Sequence, residues 1–195
     1  MQDPPAIGRI RRSLAMSVSR LARRPVIVCL TPMRRPIAIE DLLLSLPPKA
    51  RLIGIDLGSK TIGLAISDVE RRLASPFRTL PRGAFAKDAE TLTAIFSEQD
   101  VAGIVLGLPL DLEGRDNPRA QSTRAFARNL SNRTSLPIVL WDERFSTAVV
   151  TRSLIANDVS RARRAQVVDK MAAAYILQGA LDRLGGLARP PTGRL

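Results

Sequence analysis

The sequence predicts an α/β domain, a mixed five-stranded sheet flanked by helices. Three observations carry this prediction. Residues 51–68, RLIGIDLGSKTIGLAISD, hold two apolar runs joined by a short polar turn through Gly58, the pattern of a buried strand and a hairpin partner. Downstream, segments of helical periodicity alternate with short continuous apolar runs, as in strands covered on both faces. Strands in a hairpin first, then strands alternating with helices, give a mixed sheet with helices packed on it.

Taken in order, residues 1–49 form a basic extension. Arg9, Arg11, Arg12, Arg20, Arg23, Arg24, Arg34 and Arg35 are offset by few acids and prolines recur, the composition of a partly disordered basic arm or an organellar-type presequence. Met33 opens MRRPIAIEDLLLSLPPKARLIG, a sensible native start, so residues 1–32 are expected to derive from an upstream start codon. A short amphipathic helix or turn is expected over 37–46, stopped by Pro47-Pro48, and the main domain over 50–185. Strands are expected at 52–56 and 61–67. A third antiparallel strand at 73–80 is confined to an edge or bulge by Pro76. Helix 84–99 carries Phe85, Ala89, Leu92 and Phe96 near helical spacing, and 100–107 is a central parallel strand. Helix 117–129 has Pro118 in its first turn. Strand 136–141 and helices over 146–156 and 162–184 follow, then a disordered tail, 186–195.

Composition limits the chemistry. The chain of 195 residues has no histidine and one cysteine, Cys29. Ser-His-Asp and Cys-His catalysis, His-ligated zinc and an intramolecular disulfide are therefore excluded. A single cysteine fits a reducing compartment, so a cytoplasmic location is expected. No apolar run reaches the ~20 residues that span a bilayer. With 30 Lys+Arg against 18 Asp+Glu, the net charge of +12 points to a polyanionic partner, most simply nucleic acid. Aromatic residues are only 4%, so recognition by backbone and shape is expected over base stacking.

Three carboxylates stand out in apolar settings. Asp56 ends the first strand, where it is either a turn residue accepting amide hydrogen bonds or a ligand held on a rigid element. Glu143 follows the strand PIVLW at a strand exit, where open α/β sheets bind ligands; alternatively, with Asp142, it favours the positive end of the next helix. Asp169 sits inside a helical run, QVVDKMAAAYILQ, where an acid is a poor helix former. It is either solvated beside Lys170 or carried to the strand ends by a helix whose small residues allow close approach. If the three meet, their hard oxygens suit Mg²⁺ or Mn²⁺, and a pair of such ions hydrolyses phosphodiesters. Spacing alone leaves their convergence open.

Four segments together resemble the YqgF/RuvX family of pre-16S rRNA nucleases, also described as Holliday-junction-resolvase-like proteins. They are GIDLGSKTIGLAISD at 54–68, IVLGLPLDLEGRDNPRA at 104–120, LPIVLWDERFSTAVV at 136–150 and NDVSRARRAQVVDKMAAAYILQ at 157–178. They occur in the family's order and cover nearly the whole domain. The resemblance implies an RNase H-like fold. It also implies that Asp56, Glu143 and Asp169 are the acidic catalytic and metal-binding set, acting on precursor 16S rRNA at its 5′ end. Phe145 and Ser146 depart from the family's usual Leu-Thr.

Beside that set, Arg161, Arg163, Arg164 and Lys170 are expected to bind phosphate, with Lys60, Arg119 and Arg144 as further nucleic-acid contacts. Gly107-Leu108-Pro109 and Asn117 are expected to line the groove. The ordinary readings are a solvated helix start, a strand-to-loop break and, for Arg144, a surface ion pair. Branched DNA is the alternative substrate, and a non-catalytic RNA-binding or transcription-associated factor the alternative class. Asp56-Leu57-Gly58-Ser59 with Lys60 also resembles the first phosphate loop of actin and sugar-kinase ATPases, but no second Asp-X-Gly loop accompanies it. The oligomeric state is left as monomer or homodimer.

Overall fold

The computed structural model describes residues 35–145 and 161–188. The basic extension before residue 35, the start at Met33, the helix expected over 146–156 and the tail beyond 188 lie outside the described residues.

Among these, the elements are α1 (Ile39–Ser45), β1 (Arg51–Leu57), β2 (Thr61–Ser67), β3 (Ala74–Pro81), α2 (Phe85–Glu98), β4 (Val101–Leu108), α3 (Pro118–Ser131), β5 (Ile138–Asp142), a 3₁₀ turn (Glu143–Phe145) and α4 (Arg161–Ala188). The sheet order is β3-β2-β1-β4-β5. β1 pairs antiparallel with β2 and parallel with β4, and β4 pairs parallel with β5. β1 is thus the middle strand, and its near-continuous apolar run is the expected sequence of a strand covered on both faces.

One face of the sheet, through Ile53, Ile55, Ile62, Leu64 and Leu106, packs on Leu92 and Phe96 of α2 and Phe126 and Leu130 of α3. The other, through Leu52, Ala65, Val105 and Val139, packs on Leu42 of α1 and on Ala173, Ile176, Leu177 and Ala180 of α4. Each fully buried Leu or Ile contributes about 1.5–3 kcal/mol. A one-residue slip of β1 would exchange its two faces and send Asp56 to the wrong side. The core therefore sets the register that aims the carboxylate.

Pro76 is accommodated as expected. β3 is the edge strand, and its pairing with β2 jumps from Leu64↔Arg78 to Ala65↔Pro76, leaving Phe77 as a bulge. At the other edge the Ile37 amide donates to the Ile138 carbonyl at 2.8 Å, and Ile37 bridges Val139. With Leu42 fully buried, residues 37–45 of the expected extension are built into the fold. α4 runs through Gly185-Gly186 to Ala188, past the expected end at 184, so residues 186–188 of the expected tail are helical.

Candidate active site

Strand parity and two glycines bring the carboxylates to one side. In β1, Leu52 faces α4; with a period of two, so does Asp56. Its direct partner in β2 is Gly63. A Cβ on Gly63 would run into the main-chain carbonyl and Cβ of Asp169, so the missing side chain is what lets α4 settle on the sheet at that point. In β4, a Cβ on Gly107 would stand 2.7 Å from Glu143 Oε1 and 2.5 Å from Ile176 Cδ1 of α4. Asp56, Glu143 and Asp169 therefore share the α4 face of the sheet. They lie at the edge formed by the C-terminal ends of β1, β4 and β5, the edge where open α/β sheets bind ligands.

Asp56 and Glu143 are each 4% exposed, and Asp169 is half-buried. Thr61, the first residue of β2, donates its hydroxyl to Asp169 Oδ2 at 2.5 Å. The turn between β1 and β2 is fixed from the far side. Arg82 donates from its guanidinium to the Gly58 carbonyl at 2.6 Å, and from its amide to the Lys60 carbonyl at 2.9 Å. Lys60 itself is exposed on that turn.

The groups expected to contact nucleic acid divide. Arg119 is exposed at the start of α3 and Lys170 is half-buried in α4 beside Asp169. Arg161, Arg163 and Arg164 lie in the first turn of α4, with side chains outside the described residues. Arg144 takes the ion-pair alternative. Its guanidinium meets Asp142 at 2.7 Å and donates to the Leu112 carbonyl at 3.2 Å. It lies against Gly114, whose φ of +83° suits glycine and whose absent Cβ leaves the guanidinium room. Burial works to raise the Asp142 pKa, but the hydrogen bonds and charge of Arg144 prevail and hold it below the usual carboxylate range. Asn117 is a helix cap: its Oδ1 accepts from the Ala120 amide at 2.9 Å, and its Nδ2 donates to the Pro109 carbonyl at 2.7 Å. Its side chain is thereby committed to the helix cap.

Sequence reasoning missed Thr61, Gly63 and Arg82. A usable signal existed for Gly63 and Gly107: both are glycines inside strands, where glycine marks close approach of another backbone or group.

Three carboxylates on one face offer hard oxygen donors, and that chemistry fits a divalent cation of the Mg²⁺ class. Among the described residues no three or more His, Cys, Asp or Glu side chains are grouped so as to hold a metal ion as they stand. Two surface depressions lie elsewhere, against α2 and Arg133. Their linings hold none of the three carboxylates.

A mixed 3-2-1-4-5 sheet, with acidic residues on its middle strand and at the exit of β5, defines an RNase H-like domain. A family model described as "RuvX: Holliday junction resolvase" matches residues 50–183, and the chain belongs to that family. A protein of Bradyrhizobium sp. strain BTAi1 is 62% identical over 73% of this chain and 89% of its own length. One from Beijerinckia indica is 63% identical over 71% and 84%. Both carry the provisional name pre-16S rRNA nuclease. Among solved structures, Thermus thermophilus RuvC in complex with a Holliday junction substrate is similar with a TM-score of 0.47 and 11% identity, over 70% of this chain and 96% of that one. The yeast mitochondrial Holliday junction resolvase is similar at 0.41 and 12%, over 76% and 84%.

Proposed function

We propose that this protein is a divalent-metal-dependent nuclease that hydrolyses phosphodiester bonds in precursor 16S rRNA during ribosome biogenesis in the cytoplasm. The observation that supports the reading is that Asp56, Glu143 and Asp169 share one sheet face, beside Gly63 and Gly107. The names of relatives about 60% identical support the substrate, and the chain covers more than four-fifths of each.

Asp56, Glu143 and Asp169 would hold Mg²⁺ or Mn²⁺, which when bound supplies an activated water and charge neutralisation at phosphorus. The protein's part is placement. Asp56 is fixed by the middle strand, Glu143 by the turn leaving β5, and Asp169 by the seat of α4 on Gly63. Burial of Asp56 and Glu143 restricts bulk water and strengthens the attraction of their carboxylates for a cation. Lys60, Arg119 and Lys170, with Arg161, Arg163 and Arg164, bind phosphates along the approach. Arg144 is occupied with Asp142 and holds the rim of the site.

The test is cleavage of precursor 16S rRNA in Mg²⁺ or Mn²⁺ by the parent protein and by Asp56→Asn. Cleavage by the parent and loss in the variant, with RNA binding kept, supports the reading. RNA binding without turnover in the parent would make the protein a binding factor. The family description favours a second substrate, branched DNA; cleavage of four-way junctions and not of RNA would make this the function.

A further inference from the structure

Among the described residues four large hydrophobic side chains are exposed: Leu44, Val69, Leu73 and Leu112. Leu44 lies on α1. Val69 and Leu73 lie on the turn between β2 and β3, where the Val69 carbonyl accepts from Ala50 at the start of β1. Leu112 is placed differently. It is 92% exposed and stands on the loop 109–117, which leaves the C-terminal end of β4, the edge where the carboxylates lie. The loop starts beside the exit of β5, since Leu108 pairs with Asp142.

The loop that carries Leu112 is braced along its length. Its ends are drawn together by Asn117 Nδ2, which donates to the Pro109 carbonyl at 2.7 Å. Within it, the Gly114 amide donates to the Asp111 carbonyl at 3.0 Å, and the Asp111 amide to the Arg115 carbonyl at 3.1 Å. The Asp111 carboxylate accepts from the Arg115 amide at 2.7 Å and from its guanidinium at 2.9 Å. Gly114 supplies the left-handed φ of +83°. The Leu112 carbonyl itself accepts from the Arg144 guanidinium at 3.2 Å, and Arg144 directly follows Glu143 in the chain. A lone exposed leucine is ordinary on a protein surface. One held out on a hydrogen-bonded loop at a ligand-binding edge is a fixed apolar projection, and such loops carry function.

We propose that Leu112 is the wedge that enters between two neighbouring bases of the bound RNA strand and selects the step presented to the carboxylates. Inserted apolar side chains, leucine among them, part stacked bases while basic groups hold the backbone. Arg119, exposed at the start of α3 just beyond the loop, is such a basic group, on a chain of net charge +12. With aromatic residues at 4%, an aliphatic wedge takes the place of a stacking platform. Parting two bases costs least where the strand is not held in a duplex, so the preferred step is unpaired or flanks a helix. This inference rests on the RNA-substrate reading above and adds the residue that chooses the step.

The experiment reads the fluorescence of 2-aminopurine, which rises when the base is unstacked. The probe is moved along oligoribonucleotides of precursor 16S rRNA sequence. The full chain is added in EDTA, so that binding is read without cleavage, and polarisation of an end label gives the affinity. The parent is compared with Leu112→Ala, Leu112→Gln and Leu112→Met, with thermal unfolding recorded for each. The parent is expected to brighten the probe at one step. Leu112→Ala and the polar Leu112→Gln are expected to lose that rise and to bind RNA up to about 10-fold more weakly, with the parent's salt slope and thermal midpoint. Leu112→Met, apolar and of similar reach, is expected to keep the rise. A folded Leu112→Ala with the parent's rise would overturn the wedge, as would a parent that binds RNA and brightens no position; either leaves the nuclease reading standing. A parent that binds no RNA would overturn both. A rise in the parent without cleavage in Mg²⁺ would uphold the wedge and overturn the nuclease reading alone.

Discussion

Glu143 Oε1 lies 2.7 Å from the place a Cβ on Gly107 would occupy. Gly63 stands in a similar relation to Asp169, with one difference: the atoms it would strike belong to the backbone of α4. The two glycines therefore respond differently to the same substitution. Gly107→Ala meets the ends of two flexible side chains, Glu143 and Ile176, which can move aside. Cleavage is expected to fall at least tenfold, with a small change in thermal stability. Gly63→Ala cannot be relieved by a rotamer and is expected to cost about 1–3 kcal/mol or more. Urea unfolding beside a cleavage assay checks both; equal stability losses would contradict the geometry.

Removing a carboxylate tests the chemistry directly. Glu143→Gln keeps size and hydrogen-bonding capacity and removes the charge. Its expected effect is a loss of roughly 100-fold in cleavage rate, equivalent to about 3 kcal/mol of transition-state stabilisation. Single-turnover kinetics separate this from weakened RNA binding.

Asn117 makes a prediction of the opposite kind. It caps α3 and ties the cap to Pro109, so Asn117→Ala is expected to destabilise the protein by about 1 kcal/mol. The salt dependence of RNA binding is expected to be unchanged. Lys60→Ala and Lys170→Ala are expected to do the reverse. Each removes a phosphate contact and reduces the slope of log K against log salt by about 0.7 for a single strand, with stability near the parent's. Filter binding across a salt series measures the slopes.

Acid acts through turn carboxylates. Asp68 is lowered by the Leu73 amide that hydrogen-bonds it, with the Arg72 amide assisting, against a smaller contribution from burial. Asp142 is lowered by Arg144. Both ionise at lower pH in the folded chain than in the unfolded one. Their stabilisation is complete above the unfolded carboxylate pKa of about 4 and fades as pH falls through the folded values. Thermal midpoints of the parent are expected to drop below about pH 4, and Asp68→Asn is expected to flatten that drop while lowering the midpoint at pH 7.

Much of the fold was legible because its signals are local. Strand β2 follows from TIGLAIS, the edge position of β3 from Pro76, and the start of α3 from Asn117-Pro118. The continuous apolar run of β4 marks a strand covered on both faces. The three acids were also legible as candidates, since each interrupts an apolar segment. Thr61 was not, because nothing local distinguishes a threonine that begins a strand from one that holds an acid 108 residues away. Arg144 was read as a nucleic-acid contact or a surface ion pair, and Asn117 as lining the groove, with their actual partners invisible for a related reason. Charge and polarity are visible in a sequence, but whether a side chain is already engaged is not.

Alone, the sequence determined the order of elements, the absence of histidine chemistry and the residue types from which a metal site must be built. Those follow from composition and from periodicities of two and 3.6. The tertiary structure decided which side of the sheet α4 covers, and hence that Asp169 stands with Asp56 and Glu143. The physical reason is the close seat of α4 on Gly63, a contact between two backbones whose partners lie far apart in the chain and are not named by either segment alone.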